Sequence, residues 1–188
     1  MSNSIQAQRI SPLEGRLGGG AGVSITPALS MSRISLRVKD KDVKTIGKAL
    51  GVTLPMKPKT SAAASDKANA QLAALWIGPD EWLVLDKENA DLTGALAKIK
   101  SAHSAVDISH RNTAIVLEGK NAVEVLRAGC PQNLNDEAFP IGACSRTILG
   151  KAEVVIWRTG AQSYHVECWR TFSDYVFKFM TQAAKGLS

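Results

Sequence analysis

The run Leu75, Trp76, Ile77, Gly78, Pro79, Asp80, Glu81, Trp82, Leu83, Val84, Leu85 constrains the fold more than any other part of the chain. Two short apolar segments flank a Gly-Pro-Asp-Glu tip, in which Gly supplies backbone freedom and Pro presets φ for a tight turn. This predicts a β-hairpin that brings Trp76 and Trp82 close to one another across the two strands. Each indole buries on the order of 150–250 Å², so two on one hairpin make it the nucleus of a core or of an interface.

What surrounds the hairpin must then be enough to cover it. The chain has 188 residues, 45% of them hydrophobic and 21% charged, the composition of a globular protein with a true core. The polar first 16 residues lack the apolar run of a signal peptide, and no segment has the apolar length of a membrane span, which predicts a soluble, cytoplasmic protein without membrane association. Cys130, Cys144 and Cys168 are odd in number and widely spaced, as suits reduced thiols. The net charge of +6 lies wholly in the first part of the chain, where residues 1–70 hold 11 basic against 4 acidic side chains; residues 71–188 hold 12 against 13. That basic third contains no Phe, Tyr or Trp, whereas a nucleic-acid site interleaves bases with exposed aromatics, so no nucleic-acid partner is expected.

Residues 1–30, with Gly18, Gly19, Gly20 and Gly22 and no sustained period, are expected to form a flexible arm. Val23 stands where a dinucleotide fingerprint needs glycine, so the glycines read as a linker. Ile34, Leu36 and Val38 alternate with polar residues as a strand does. Next comes a helix with Asp42 as cap, Val43, Ile46 and Leu50 on one face, a Lys41, Lys44 and Lys48 ridge on the other, and Gly51 as its stop. Residues 55–70 read as an exposed loop. After the Trp hairpin, a helix behind Asn89 or Asp91 carries Leu92, Ala95, Leu96 and Ile99, and a strand covers 105–108.

The second part repeats the scheme. A strand at 114–117 leads to a helix at 120–128 and a long loop at 132–142. Three strands follow at about 144–149, 152–157 and 164–168, and then a helix capped by Ser173 or Asp174 with Phe172, Tyr175, Val176, Phe179 and Ala183 at helical spacing. The fold class is therefore α+β: two packed βαββαβ-like units, about 31–110 and 111–188, with antiparallel or mixed sheets covered by helices.

Candidate chemistry is sparse. Asp107, Ser109, His110, Arg111 and Asn112 crowd a turn at a strand end, but adjacent Ser109 and His110 point to opposite sides of an extended chain, and no Gly-x-Ser-x-Gly elbow exists. His165 and Cys168, three apart on a strand, face opposite ways and cannot chelate one ion. No catalytic, cofactor-binding or metal-binding residue is assigned. Partner-interface candidates are Trp76, Trp82, His110, Arg111, Arg158, Trp169 and Arg170, because Trp and Arg beside strand ends are common hot-spot residues.

The order and spacing of ALWIGPDEWLVL, VDISHRNTAIVLEGKNAVEVLRAGCPQNL, FPIGACSRTILGKAEVVIWRTG and YHVECWRTFSDYVFKFM carry a resemblance from about Ser32 to the C-terminus, with Ser11, Pro12 and Leu13 as an early echo. The chain resembles the gamma subunits of heterotetrameric sarcosine oxidases. That resemblance implies an aminomethyltransferase-like, folate-binding fold and alpha, beta and delta subunits as partners, with no homo-oligomer required. It also implies FAD, FMN and NAD on the alpha and beta chains, zinc on delta, and no cofactor on this chain. The implied reaction is oxidative demethylation of sarcosine to glycine with release of hydrogen peroxide and transfer of the one-carbon unit to tetrahydrofolate. A stand-alone folate-dependent one-carbon transferase and an RNA-binding module are the competing functions.

Overall fold

The computed structural model describes residues 11–64, 72–88 and 90–187. It forms two antiparallel sheets. One takes its strands from the first half, β3 (Ser32–Val38), β4 (Ser61–Ala63), β5 (Leu72–Gly78), β6 (Glu81–Asp86) and β7 (His103–Asp107), in the order β4-β5-β6-β3-β7. The other combines β1 (Gly18–Gly20) and β2 (Val23–Pro27) with β8 (Asn112–Glu118), β9 (Cys144–Leu149), β10 (Ala152–Gly160) and β11 (Ser163–Trp169), in the order β1-β2-β8-β11-β10-β9. Helices α1 (Val43–Leu50) and α2 (Leu92–Ala97) cover the first sheet; α3 (Ala122–Arg127) and α4 (Ser173–Lys185) cover the second. This is the α+β pair of units that the alternating patterns predict.

The Trp hairpin is β5 and β6, with Trp76 opposite Trp82. Both of its faces are buried, which explains its nearly continuous apolar run. Trp82 and Val84 face the helices, while Leu83 and Leu85 face the second sheet, where they meet Cys144, Val155 and Ile108. Trp82 is 1% exposed, and its indole Nε1 donates to the Pro55 carbonyl at 2.7 Å. At the tip, the left-handed residue is Asp80 (φ 56) rather than Gly78.

Several expectations are corrected. From residue 11 the arm is part of the fold, because β2 pairs with β8 and buries Val23 and Ile25 in the core under α4; residues 1–10 lie outside the described residues. The glycine run is an edge strand pressed against α4. A Cβ on Gly18 would stand 2.5 Å from Thr181 Oγ1 and one on Gly20 2.4 Å from the Ala184 carbonyl, so only glycine admits this approach. Within the expected loop at 55–70, β4 joins the first sheet, and its start bridges the two halves, with Thr60 just before it opposite Ala143 and Ser61 N–H donating to Gly142 O at 3.1 Å. Residues 65–70 lie outside the described residues, as does the cap candidate Asn89; Asp91 caps α2, its Oδ1 accepting from Gly94 N–H at 2.8 Å.

Asp42 precedes α1 without a side-chain capping bond, since a 3-10 turn over 40–42 leads into the helix, while Gly51 (φ 76) ends it as expected. Ser173 is the first residue of α4 rather than its cap, and its hydroxyl donates to Arg170 O at 2.7 Å. The buried face of α4 is Val176, Phe177, Met180 and Ala184, turned from the predicted stripe because Phe177 and Ala184 must settle on the glycine edge.

Candidate partner interface

Strand alternation decides what each side of β11 does. Tyr164, Val166 and Cys168 enter the helix-covered core, whereas His165 and Glu167 enter the layer between the two sheets. Arg33, on the inward side of β3, meets them there. Its Nε donates to Glu167 Oε2 at 2.7 Å and its Nη1 to Met31 O at 3.1 Å, while His165 Nε2 and Glu167 Oε1 lie 2.7 Å apart. The carboxylate is 1% exposed, and both its oxygens are engaged. Burial pushes the Glu167 carboxyl up, but the Arg33 charge and the His165 contact outweigh it and hold the group below the usual carboxylate range. Trp157 packs edge-on against the His165 ring, with centroids 6.0 Å apart, and donates from Nε1 to Ser61 Oγ at 3.0 Å. A second ionic link crosses the layer at its rim, where Arg146 on β9 reaches Glu81 on β6 at 3.1 Å.

This triad ties the two units to one another and leaves neither Glu167 oxygen free. Ser109 is equally occupied: its hydroxyl accepts from Arg33 N–H at 2.8 Å and its own N–H donates to Asp107 Oδ1 at 2.7 Å. Burial pushes the Cys144 and Cys168 thiols up to about 12, so neither is a ready nucleophile. Among the described residues no group of three or more His, Cys, Asp or Glu could hold a metal ion. No helix of the described residues is long and apolar enough to cross a membrane.

The same strand side that buries His165 and Glu167 emerges at Trp169, which is 43% exposed. Arg111, on the turn before β8, stacks its guanidinium 5.1 Å from the Trp169 ring centroid, and Arg170 N–H donates to Arg111 O at 2.7 Å. Phe172, 44% exposed, lies 6.4 Å from Trp169 between centroids. His110 is exposed on the same turn as Arg111. The fold thus joins residues about sixty apart in sequence into one surface platform of aromatic rings and guanidinium groups, the composition typical of association hot spots.

Three predicted interface residues, Arg111, Trp169 and Arg170, meet at this platform, and His110 stands on the turn beside it. Trp82 and Arg158 do not, and both lie inside the fold. Arg158 donates to the carbonyls of Phe139, Ala161 and Gly160 and pairs with Asp136 at 2.7 Å, tying down the 132–142 loop. Trp76 is half-buried beside α1 and α2, away from the platform. Phe172 was missed because its helical spacing assigned it to the core. The Arg33 to Glu167 link was missed because charged residues alternating with apolar ones read as solvent-facing when a second sheet is not foreseen.

Comparison with known proteins follows this geometry. Residues 40–186 match the family model described as sarcosine oxidase, gamma subunit family. The sarcosine oxidase subunit gamma of Arthrobacter sp is 32% identical over 137 residues, which are 72% of this chain and 66% of that protein. The subunit gamma of Corynebacterium sp. (strain P-1) is 29% identical over 140 residues, 73% of this chain and 67% of that protein. The chain thus spans about two thirds of the length of these relatives. Among solved structures, a chain of the heterotetrameric sarcosine oxidase from Corynebacterium sp. U-96 in complex with pyrrole 2-carboxylate superposes with a TM-score of 0.82 at 28% identity, covering 94% of both chains. The glycine cleavage system aminomethyltransferase T from Bartonella henselae superposes at 0.61 with 12% identity, over 86% of this chain and 46% of that one, a likeness of fold alone.

Proposed function

The chain belongs to the sarcosine oxidase gamma subunit family, and from that premise we propose that it is a non-catalytic companion subunit of a heterotetrameric sarcosine oxidase. The single observation that carries this reading is the superposition, over 94% of both chains, on a component of such an assembly. In this reading the alpha and beta chains hold FAD, FMN and NAD, delta holds zinc, and the assembly demethylates sarcosine to glycine with release of hydrogen peroxide. The exposed Arg111, Trp169 and Phe172 platform serves as a contact with a partner chain.

Tetrahydrofolate, implied by the fold family, does not fit the layer around Glu167. A folate site calls for an available buried carboxylate and aromatic walls, yet both Glu167 oxygens are committed to Arg33 and His165. The cavity beside Glu167 measures about 50 Å³, whereas small-molecule sites span roughly 300–1,000 Å³. A larger groove of about 580 Å³ along residues 11–17 and 26–30 has no aromatic side chain in its lining. In this reading the one-carbon acceptor is held by another subunit.

The test is to produce the chain alone and together with its alpha, beta and delta partners. Alone it should be colourless and release no peroxide from sarcosine; with the partners it should enter one assembly, and Trp169→Ala should weaken that entry about tenfold or more. Sarcosine-dependent peroxide from the isolated chain overturns the reading.

A further inference from the structure

Helix α1 carries one feature that the platform leaves unused. Its buried face, Val43, Ile46 and Leu50, packs on the first sheet, but Gly47 leaves a gap in the helix surface, and the chain returns beneath it through Val52, Leu54 and Pro55. A side chain at Gly47 would stand 2.8 Å from Val52 O, so the close return depends on glycine. Trp82, deep in the core, anchors the return through its bond to Pro55 O. The result is a groove of about 660 Å³ with a mostly apolar lining that includes Met56, which is largely exposed.

Charge around this groove has one sign. Lys44 and Lys48 line it, Lys57 and Lys59 follow Met56 on exposed backbone, and no Asp or Glu is among its lining residues. The nearest acidic residues in sequence, Asp40 and Asp42, sit in the turn before the helix. Two lysines of the basic N-terminal third thus line an apolar slot.

We propose that this groove docks an acidic amphipathic segment of a partner subunit. The occupant's apolar side chains lie along Val52, Leu54 and Met56 and its carboxylates meet Lys44 and Lys48; the proposal rests on the companion-subunit reading for the partner's identity. An apolar slot with a flexible thioether in its lining suits the face of a partner helix, as in other helix-in-groove complexes. Lysine ammonium groups at the rim select carboxylates and steer the encounter. A single-stranded nucleic acid would instead call for aromatic rings to stack its bases, and no aromatic residue lines this groove.

The experiment uses the full chain and the combined alpha, beta and delta partners, with binding followed by biolayer interferometry. Wild-type affinity should fall as salt rises from about 50 mM to about 500 mM. The double variant Lys44→Glu, Lys48→Glu should bind at least about tenfold more weakly, while its melting temperature as an isolated chain stays that of the wild type. Met56→Asp should weaken binding without touching the lysines. If the wild type binds and the double variant and Met56→Asp bind equally well, this docking site is wrong and the companion-subunit reading stands. If the wild type binds no partner chain, both fall. Retention of poly(U) RNA that the double variant loses, with partner binding unchanged, also overturns the proposal.

Discussion

Arg33, Glu167 and His165 show what one buried carboxylate does when two sheets face each other. Removing one member of a buried pair leaves a charge without compensation, which typically costs about 3–5 kcal/mol, whereas replacing both with apolar groups costs far less. Glu167→Gln should therefore lower stability in urea unfolding at neutral pH by roughly that amount, and Arg33→Met with Glu167→Leu should be milder than Glu167→Gln alone. The acid limb has a definite sign. Because the folded Glu167 carboxyl is held below its ordinary value, its contribution is full above the ordinary carboxylate range and fades as pH falls through the lowered value. The gap between wild type and Glu167→Gln should close in acid, and a gap that stays constant from neutral pH to about pH 2 would contradict the account. None of this was legible from one sequence, since Arg33 and Glu167 each sit at a polar position of an alternating strand and are 134 residues apart.

At the scale of elements, most strands and helices were readable because their apolar runs and periods follow the layers they pack against. The hairpin, α1, α2 and β9 to β11 fall close to where the patterns put them. The glycine run misled for a physical reason: a strand that meets a helix backbone has no side chains with which to show a period. Gly20→Ala tests that explanation. Its Cβ would lie 2.4 Å from the Ala184 carbonyl, so β1 or α4 must shift, and overpacking of this kind costs about 1–3 kcal/mol. At roughly 2–4 °C per kcal/mol for a chain of this size, the melting point should drop measurably. Gly51→Ala, where φ is 76 and nothing lies within 4 Å of the added atom, should cost only the backbone strain. A Gly20→Ala protein that melts with the wild type would mean that β1 does not pack under α4.

The molecule as a whole is two helix-covered sheets joined through an inner layer, with an aromatic and guanidinium platform at one strand end and a lysine-rimmed groove along α1. The division into two α+β units was visible in the repeated order of elements. The platform was only partly visible: Trp and Arg beside strand ends pointed to three of its members, but which indoles are buried depends on the packing of one sheet on the other. An inward-facing triad with both Glu167 oxygens engaged and an outward-facing aromatic platform are the features on which the proposed companion role rests. Purification of this chain from its native cell under low-salt conditions tests that most directly. The account predicts that it emerges in one complex with three different chains and flavin absorbance; a monodisperse lone chain, unaccompanied by any other subunit, would contradict it.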